Sequence, residues 1–133
     1  MQPTRTTILI VDSDTAYRRR MARDLRDSGF RVLEAQGGRE AEGIWLLHQG
    51  EIALLVTALA LPDRNGYALA EWLRSVEPAI KILFISGPTG AVISEFHART
   101  PGAVTMFRPF GSGDLVRKVS ELLKNGFSNA AGT

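Results

Sequence analysis

The chain has 133 residues, a formal net charge of +2 and no cysteine. That length suits one compact domain, with 44% hydrophobic residues to supply a core and 23% charged residues to cover it. Without cysteine there are no disulfides, thiolate metal sites or cysteine nucleophiles, which fits a reducing compartment, and a small charge excess without a long basic block argues against nucleic acid as a partner for this domain alone.

In chain order, short apolar runs alternate with helical patterns. Thr7–Val11 is β-branched and predicts a strand buried on both faces; its apolar part is too short for a signal-peptide core. Ser13 or Asp14 can cap the next helix, in which Tyr17, Met21 and Leu25 share a face and which Gly29 ends. Arg18, Arg19, Arg20, Arg23 and Arg26 make this helix basic, read first as a solvated face and next as a contact for an acidic protein. Arg31–Ala35 is a second strand, Gly37-Gly38 a turn, and Arg39–His48 a second helix with Ala41, Ile44, Trp45 and His48 near one face. The third strand is Ile52–Thr57, within an apolar stretch to Pro62 that is about half the length needed to span a bilayer. Asn65-Gly66 opens a third helix with Leu69, Leu73 and Val76 inward and Trp72 beside them, and Pro78 stops it. Lys81–Ser86 is a fourth strand, Gly90–Arg99 a fourth helix, Ala103–Phe107 a fifth strand and Gly113–Lys124 a fifth helix. Residues 127–133 are small and polar and predict a flexible tail after a domain spanning 1–126.

Strands separated by helices predict βαβ units, a parallel sheet and right-handed crossovers. By analogy with flavodoxin-like α/β folds, the sheet is expected to be doubly wound with strand order 2-1-3-4-5 and its functional site at the carboxyl ends of the strands. Asp12, Ser13, Ala58, Ser86 and Arg108 would meet there. His48 and His97 have no second ligand at helical spacing, and no nucleophile elbow or Walker phosphate loop is present.

Several short motifs occur in a fixed order: Ile8-Leu9-Ile10-Val11-Asp12, Gly29-Phe30, Glu40-Ala41, Pro62, Gly66, Ser86-Gly87, Gly102-Ala103 and Arg108-Pro109-Phe110. In that order and spacing the chain resembles the receiver domain of response regulators in two-component phosphorelay signalling, over nearly its whole length. The resemblance implies a pocket in which two acids after the first strand and an acceptor aspartate hold Mg²⁺, while a hydroxyl and a lysine hold the phosphoryl oxygens. Asp12 matches the first acid and Ser86 the hydroxyl. The second acid is replaced by Ser13, the acceptor by Ala58 and the lysine by Arg108. Three departures argue for natural decay over one engineered change at Ala58.

With two of three carboxylates gone, Asp12 and Arg108 are expected to pair directly or through water, since the arginine fork can bind one carboxylate at two points. Asp14 is expected to act as a helix cap rather than as the missing acid. The resemblance also implies a cis Arg108-Pro109 bond and places Thr105 where the family keeps its switch aromatic.

The expectation is therefore a cytoplasmic pseudo-receiver. It is not an enzyme, needs no cofactor, binds Mg²⁺ weakly or not at all, and acts through contacts with a signalling protein such as a histidine kinase or output protein. By resemblance, the partner surface comprises Phe96, Arg99, Phe107 and Lys118 and can also support a homodimer. The rival readings are a switch responding to an anion or other ligand at Ser86 and Arg108, and a flavodoxin-like cofactor binder. The acids in Asp12-Ser13-Asp14-Thr15 disfavour the latter, because they would repel a phosphate.

Overall fold

The computed structural model describes residues 5–87 and 102–132. In order, these form β1 (Thr7–Val11), α1 (Thr15–Asp27), β2 (Arg31–Ala35), α2 (Gly38–Leu47), β3 (Ile52–Ala58), α3 (Gly66–Val76), β4 (Lys81–Ser86), β5 (Val104–Phe107) and α4 (Ser112–Gly132). The strands make one parallel sheet in the order β2-β1-β3-β4-β5, as expected. The fourth helix expected at Gly90–Arg99, with Phe96, His97 and Arg99, lies outside the described residues.

Strand alternation divides the core in two. Leu9, Val11, Leu55, Ile82 and Phe84 pack with Trp45, Tyr67, Leu69 and Leu73 from α2 and α3. Ile8, Ile10, Leu54, Val56, Leu83 and Ile85 pack with Met21 and Leu25 of α1 and with Leu115 and Val119 of α4. Each such fully buried side chain contributes about 1.5–3 kcal/mol of hydrophobic stabilisation. This explains why β1 and β4 read as nearly continuous apolar runs, being covered on both sides.

The helix ends follow their local chemistry. Asp14 caps α1, its side chain accepting from the Tyr17 N–H at 3.1 Å; Gly29, at φ +98°, follows the C-cap in the left-handed conformation that favours glycine. Asn65 caps α3 through the Ala68 N–H at 2.7 Å. Trp45 is buried and meets the half-buried Trp72 edge-to-face, their ring centroids 5.6 Å apart.

Three expectations change. Val76, expected inward, is 41% exposed, standing at the last position of α3. The last helix continues past its expected end at Lys124 to Gly132; no proline interrupts it and Ala130-Ala131 favours helix. Arg18 does not join a solvated face. It lies on the stripe of Met21, Ala22 and Leu25 and is 6% exposed. Its Nε donates to Glu34 Oε1 at 3.0 Å and its Nη1 to the Asp12 carbonyl at 2.9 Å.

Candidate functional site

The carboxyl ends of β1, β3, β4 and β5 gather the residues singled out in the sequence. Val11 is in register with Thr57, so Asp12 and Ala58 come next on adjacent strands. Ala58 pairs in register with Ile85, which Ser86 follows. Beyond β5, the Arg108 N–H donates to the Ser86 carbonyl at 2.8 Å. The Arg108-Pro109 bond is cis.

Asp12 is 3% exposed. Its Oδ1 accepts from the Asp14 N–H at 2.9 Å, while Oδ2 is buried without a hydrogen-bond partner. Burial raises its pKa above 3.8, opposed first by the Asp14 N–H and then by the Arg108 charge. Ser86 is also buried, and its Oγ donates to the Gly87 carbonyl at 3.2 Å. Ala58 is 8% exposed and presents a methyl group; its carbonyl accepts from Thr57 Oγ1 at 2.9 Å. Ser13 is exposed, and Thr105 on β5 is half-buried in register with Phe84.

The expected direct pair between Asp12 and Arg108 is not made. Arg108 Nη1 lies 3.7 Å from Asp14 Oδ2, and its guanidinium sits 4.5 Å from the centroid of the Tyr17 ring. Tyr17 in turn meets Phe110 edge-to-face at 5.8 Å. The reason is solvation. At the mouth of the cleft Arg108 keeps one side in water and finds both a carboxylate and an aromatic face, whereas reaching Asp12 would bury the charge. The spacing of Asp14 and Tyr17, one helical turn apart, was the sequence signal for this aromatic and acidic wall.

Among the described residues, no group of three His, Cys, Asp or Glu side chains is arranged to hold a metal ion. Asp12 offers one unpartnered oxygen. Asp14 is committed to the α1 cap and to Arg108, and Ser13 and Ala58 bring no carboxylate. That donor set does not suit a hard divalent cation, which takes several oxygen ligands. Of the expected partner surface, Phe107 is 53% exposed on the edge strand β5, and Lys118 on α4 pairs with Glu121 at 3.3 Å.

Two consequences are measurable. A raised Asp12 pKa means that ionised Asp12 opposes folding above that pKa, and that the penalty vanishes as the pH falls through it towards 3.8. Asp12→Asn is therefore expected to be more stable than the parent at neutral pH, with the gap narrowing on acidification. Denaturant titrations at several pH values check this, and a gap that widens towards acid would contradict it.

The second concerns Asp63, which local patterns in the sequence do not reveal because its partners lie 24 and 25 residues away. Its carboxylate accepts from the Gly38 and Arg39 N–H groups at 2.9 and 2.8 Å, capping α2, whose own N-cap Gly37 has no side chain. These bonds hold the Asp63 pKa below 3.8. Arg64 adds an ion pair to Glu42. The loop after β3 is thus clasped to α2. Asp63→Ala is expected to speed amide hydrogen exchange at Gly38 and Arg39 and to lower the melting temperature. Unchanged exchange would show that the clasp does not hold in solution.

The family described as response regulator receiver domain matches residues 8–120. The chain is similar to the sensor kinase CckA of Brucella abortus, 32% identical over 122 residues that cover 89% of this chain and 12% of CckA. It is also similar to the response regulator receiver protein CpdR of the same organism, 27% identical, covering 87% of this chain and 95% of CpdR. The chain thus spans a small part of the first of these relatives and nearly all of the second. Among solved structures, a CheY-like receiver domain protein from Methanospirillum hungatei aligns with a TM-score of 0.85 at 26% identity, covering 95% of this chain and 99% of the other. The receiver domain of the hybrid histidine kinase CckA aligns with a TM-score of 0.75 at 29% identity, covering 88% and 98%.

Proposed function

The chain belongs to the response regulator receiver family, and from that premise we propose that it is a pseudo-receiver, a non-enzymatic two-component signalling module of the cytoplasm that works by protein contact without aspartyl phosphorylation. The observation that carries this reading is Ala58, a methyl group at the carboxyl end of the central strand β3, in the place where the resemblance puts the phosphoacceptor. A methyl group has no lone pair with which to attack phosphorus. Ser13 and the committed Asp14 support weak or absent Mg²⁺ binding for the same reason. The partner would be a signalling protein of the histidine kinase or output class, with a second copy of the chain as a further candidate. Arg108 is already engaged by Asp14 and the Tyr17 ring, which favours a contact module over an anion-responsive switch.

The test is a titration of Mg²⁺, then of beryllofluoride with Mg²⁺, followed by amide chemical shifts. No saturable change is expected at Asp12, Ser86 or Arg108. Saturable shifts at those residues with beryllofluoride would contradict the proposal. A melting temperature raised by inorganic phosphate alone would support the anion switch instead.

A further inference from the structure

At the amino end of the sheet, opposite the candidate site, a cavity of about 600 Å³ opens between the start of β3, the end of α3 and the start of β4. That volume suits a small molecule. Its floor is apolar: Ile52 and Ile80 are buried, and Leu123 of α4 is half-buried. Its rim carries three charged side chains, Arg74, Glu77 and Lys81, each half-buried.

Backbone bonds hold this rim in shape. The Ile80 N–H donates to the Glu77 carbonyl at 3.0 Å, closing a tight turn that brings Glu77 and Lys81 to the same edge. Arg74 Nε donates to the Ile80 carbonyl at 3.2 Å, and its Nη2 lies 3.7 Å from the Cβ position of Gly102, in the loop before β5. Arg74 thus ties the turn to that loop. The side chains of Glu77 and Lys81 make no hydrogen bond or ion pair among the described residues, although a half-buried charge gains from a partner. Glu77 is also the C-cap of α3, where the helix dipole disfavours a carboxylate and favours a cation. An acid there opposes local stability, whereas a bound ammonium group would draw on both the carboxylate and the helix end.

We propose that this cavity binds a free α-amino acid with an apolar side chain. The ligand's ammonium group would meet Glu77 and the C-terminal end of α3. Its carboxylate would meet Lys81, with the Arg74 charge beside it, and its side chain would cover the floor of Ile52, Ile80 and Leu123. Charge balance selects a zwitterion. A simple carboxylate would be repelled by Glu77 and the helix end, and a simple amine would face two cations. The cavity shares no residue with the site around Ala58, so the inference stands whether or not Ala58 ends phosphoryl chemistry.

The experiment titrates the full chain with free leucine, and separately with leucinamide, isocaproate and glycine, following amide chemical shifts. Leucine is expected to shift Glu77, Lys81 and Gly102 saturably. Leucinamide lacks the carboxylate, isocaproate lacks the ammonium group and glycine lacks the apolar side chain, so each should bind roughly tenfold or more weakly. Lys81→Gln should weaken leucine but not leucinamide, and Glu77→Gln should weaken leucine but not isocaproate. Lys118→Gln, outside the cavity, should change none of them. The three analogues are compared on the parent protein, so they decide the matter even where a variant does not fold. No saturable shift with leucine, an analogue that binds as tightly as leucine, or shifts centred on Asp12 and Ser86 would each overturn the proposal.

Discussion

Replacing Ala58 with aspartate is expected to destabilise the domain by about 1–3 kcal/mol near neutral pH, and not to restore a phosphorylatable site by itself. Asp12 is already buried with one oxygen unpartnered and its pKa raised. The register of β1 and β3 would set a second carboxylate beside it. Two carboxylates in one cleft cannot both ionise without strong repulsion. Arg108, the cation that acts most strongly on Asp12, is held by Asp14 and Tyr17. The loss should shrink on acidification, as the pair takes up a proton. Adding Ser13→Asp and Arg108→Lys to Ala58→Asp completes the donor set that the family resemblance implies, and Mg²⁺ should then raise the melting temperature of the triple variant saturably. Urea titrations with and without Mg²⁺ measure both effects. If the single variant were as stable as the parent, or gained Mg²⁺-dependent stability alone, the roles assigned to Ser13 and Arg108 would be wrong.

Gly66→Ala is expected to cost about 3 kcal/mol or more, or to prevent folding. A Cβ built on Gly66 would lie 2.0 Å from the Ala58 carbonyl oxygen. That neighbour is backbone at the end of the central strand and cannot rotate away. The Gly66 N–H also donates to the Leu59 carbonyl at 2.7 Å, closing the loop between β3 and α3. Making room for one methyl group would therefore separate the start of α3 from the end of β3 and disturb the strand end at the candidate site. Gly43, on the exposed face of α2, has nothing within 4 Å of its Cβ position and serves as the control: Gly43→Ala should be neutral or stabilising, as expected for an exposed helical glycine. Equal stability of the two alanine variants would mean that the β3–α3 junction is looser than this packing implies.

The fold was readable from the sequence because its signals are local. The β-branched run at Thr7–Val11, the Asn65-Gly66 helix start and the Gly29 stop each act over a few residues, and all three appear in the structure where they were expected. Gathering Asp12, Ala58, Ser86 and Arg108 at the carboxyl end of the sheet required only the strand order, which the analogy with flavodoxin-like folds supplied.

What the sequence hid depended on competition between distant partners. Arg108 had two carboxylates within reach, Asp12 and Asp14, and only the balance of burial against solvation selects Asp14. Arg18 looked like its neighbours Arg19 and Arg20 until Glu34, on another strand, drew it inward. The Asp63 clasp joins two loops far apart in the chain and carries no local signature.

The whole reading turns on whether side chain 58 can accept a phosphoryl group, and intact-mass spectrometry answers that directly. The pure protein, incubated with acetyl phosphate and Mg²⁺ and kept near neutral pH, should retain its unmodified mass. A species heavier by one phosphoryl group, labile to hydroxylamine as an acyl phosphate is, would contradict the account.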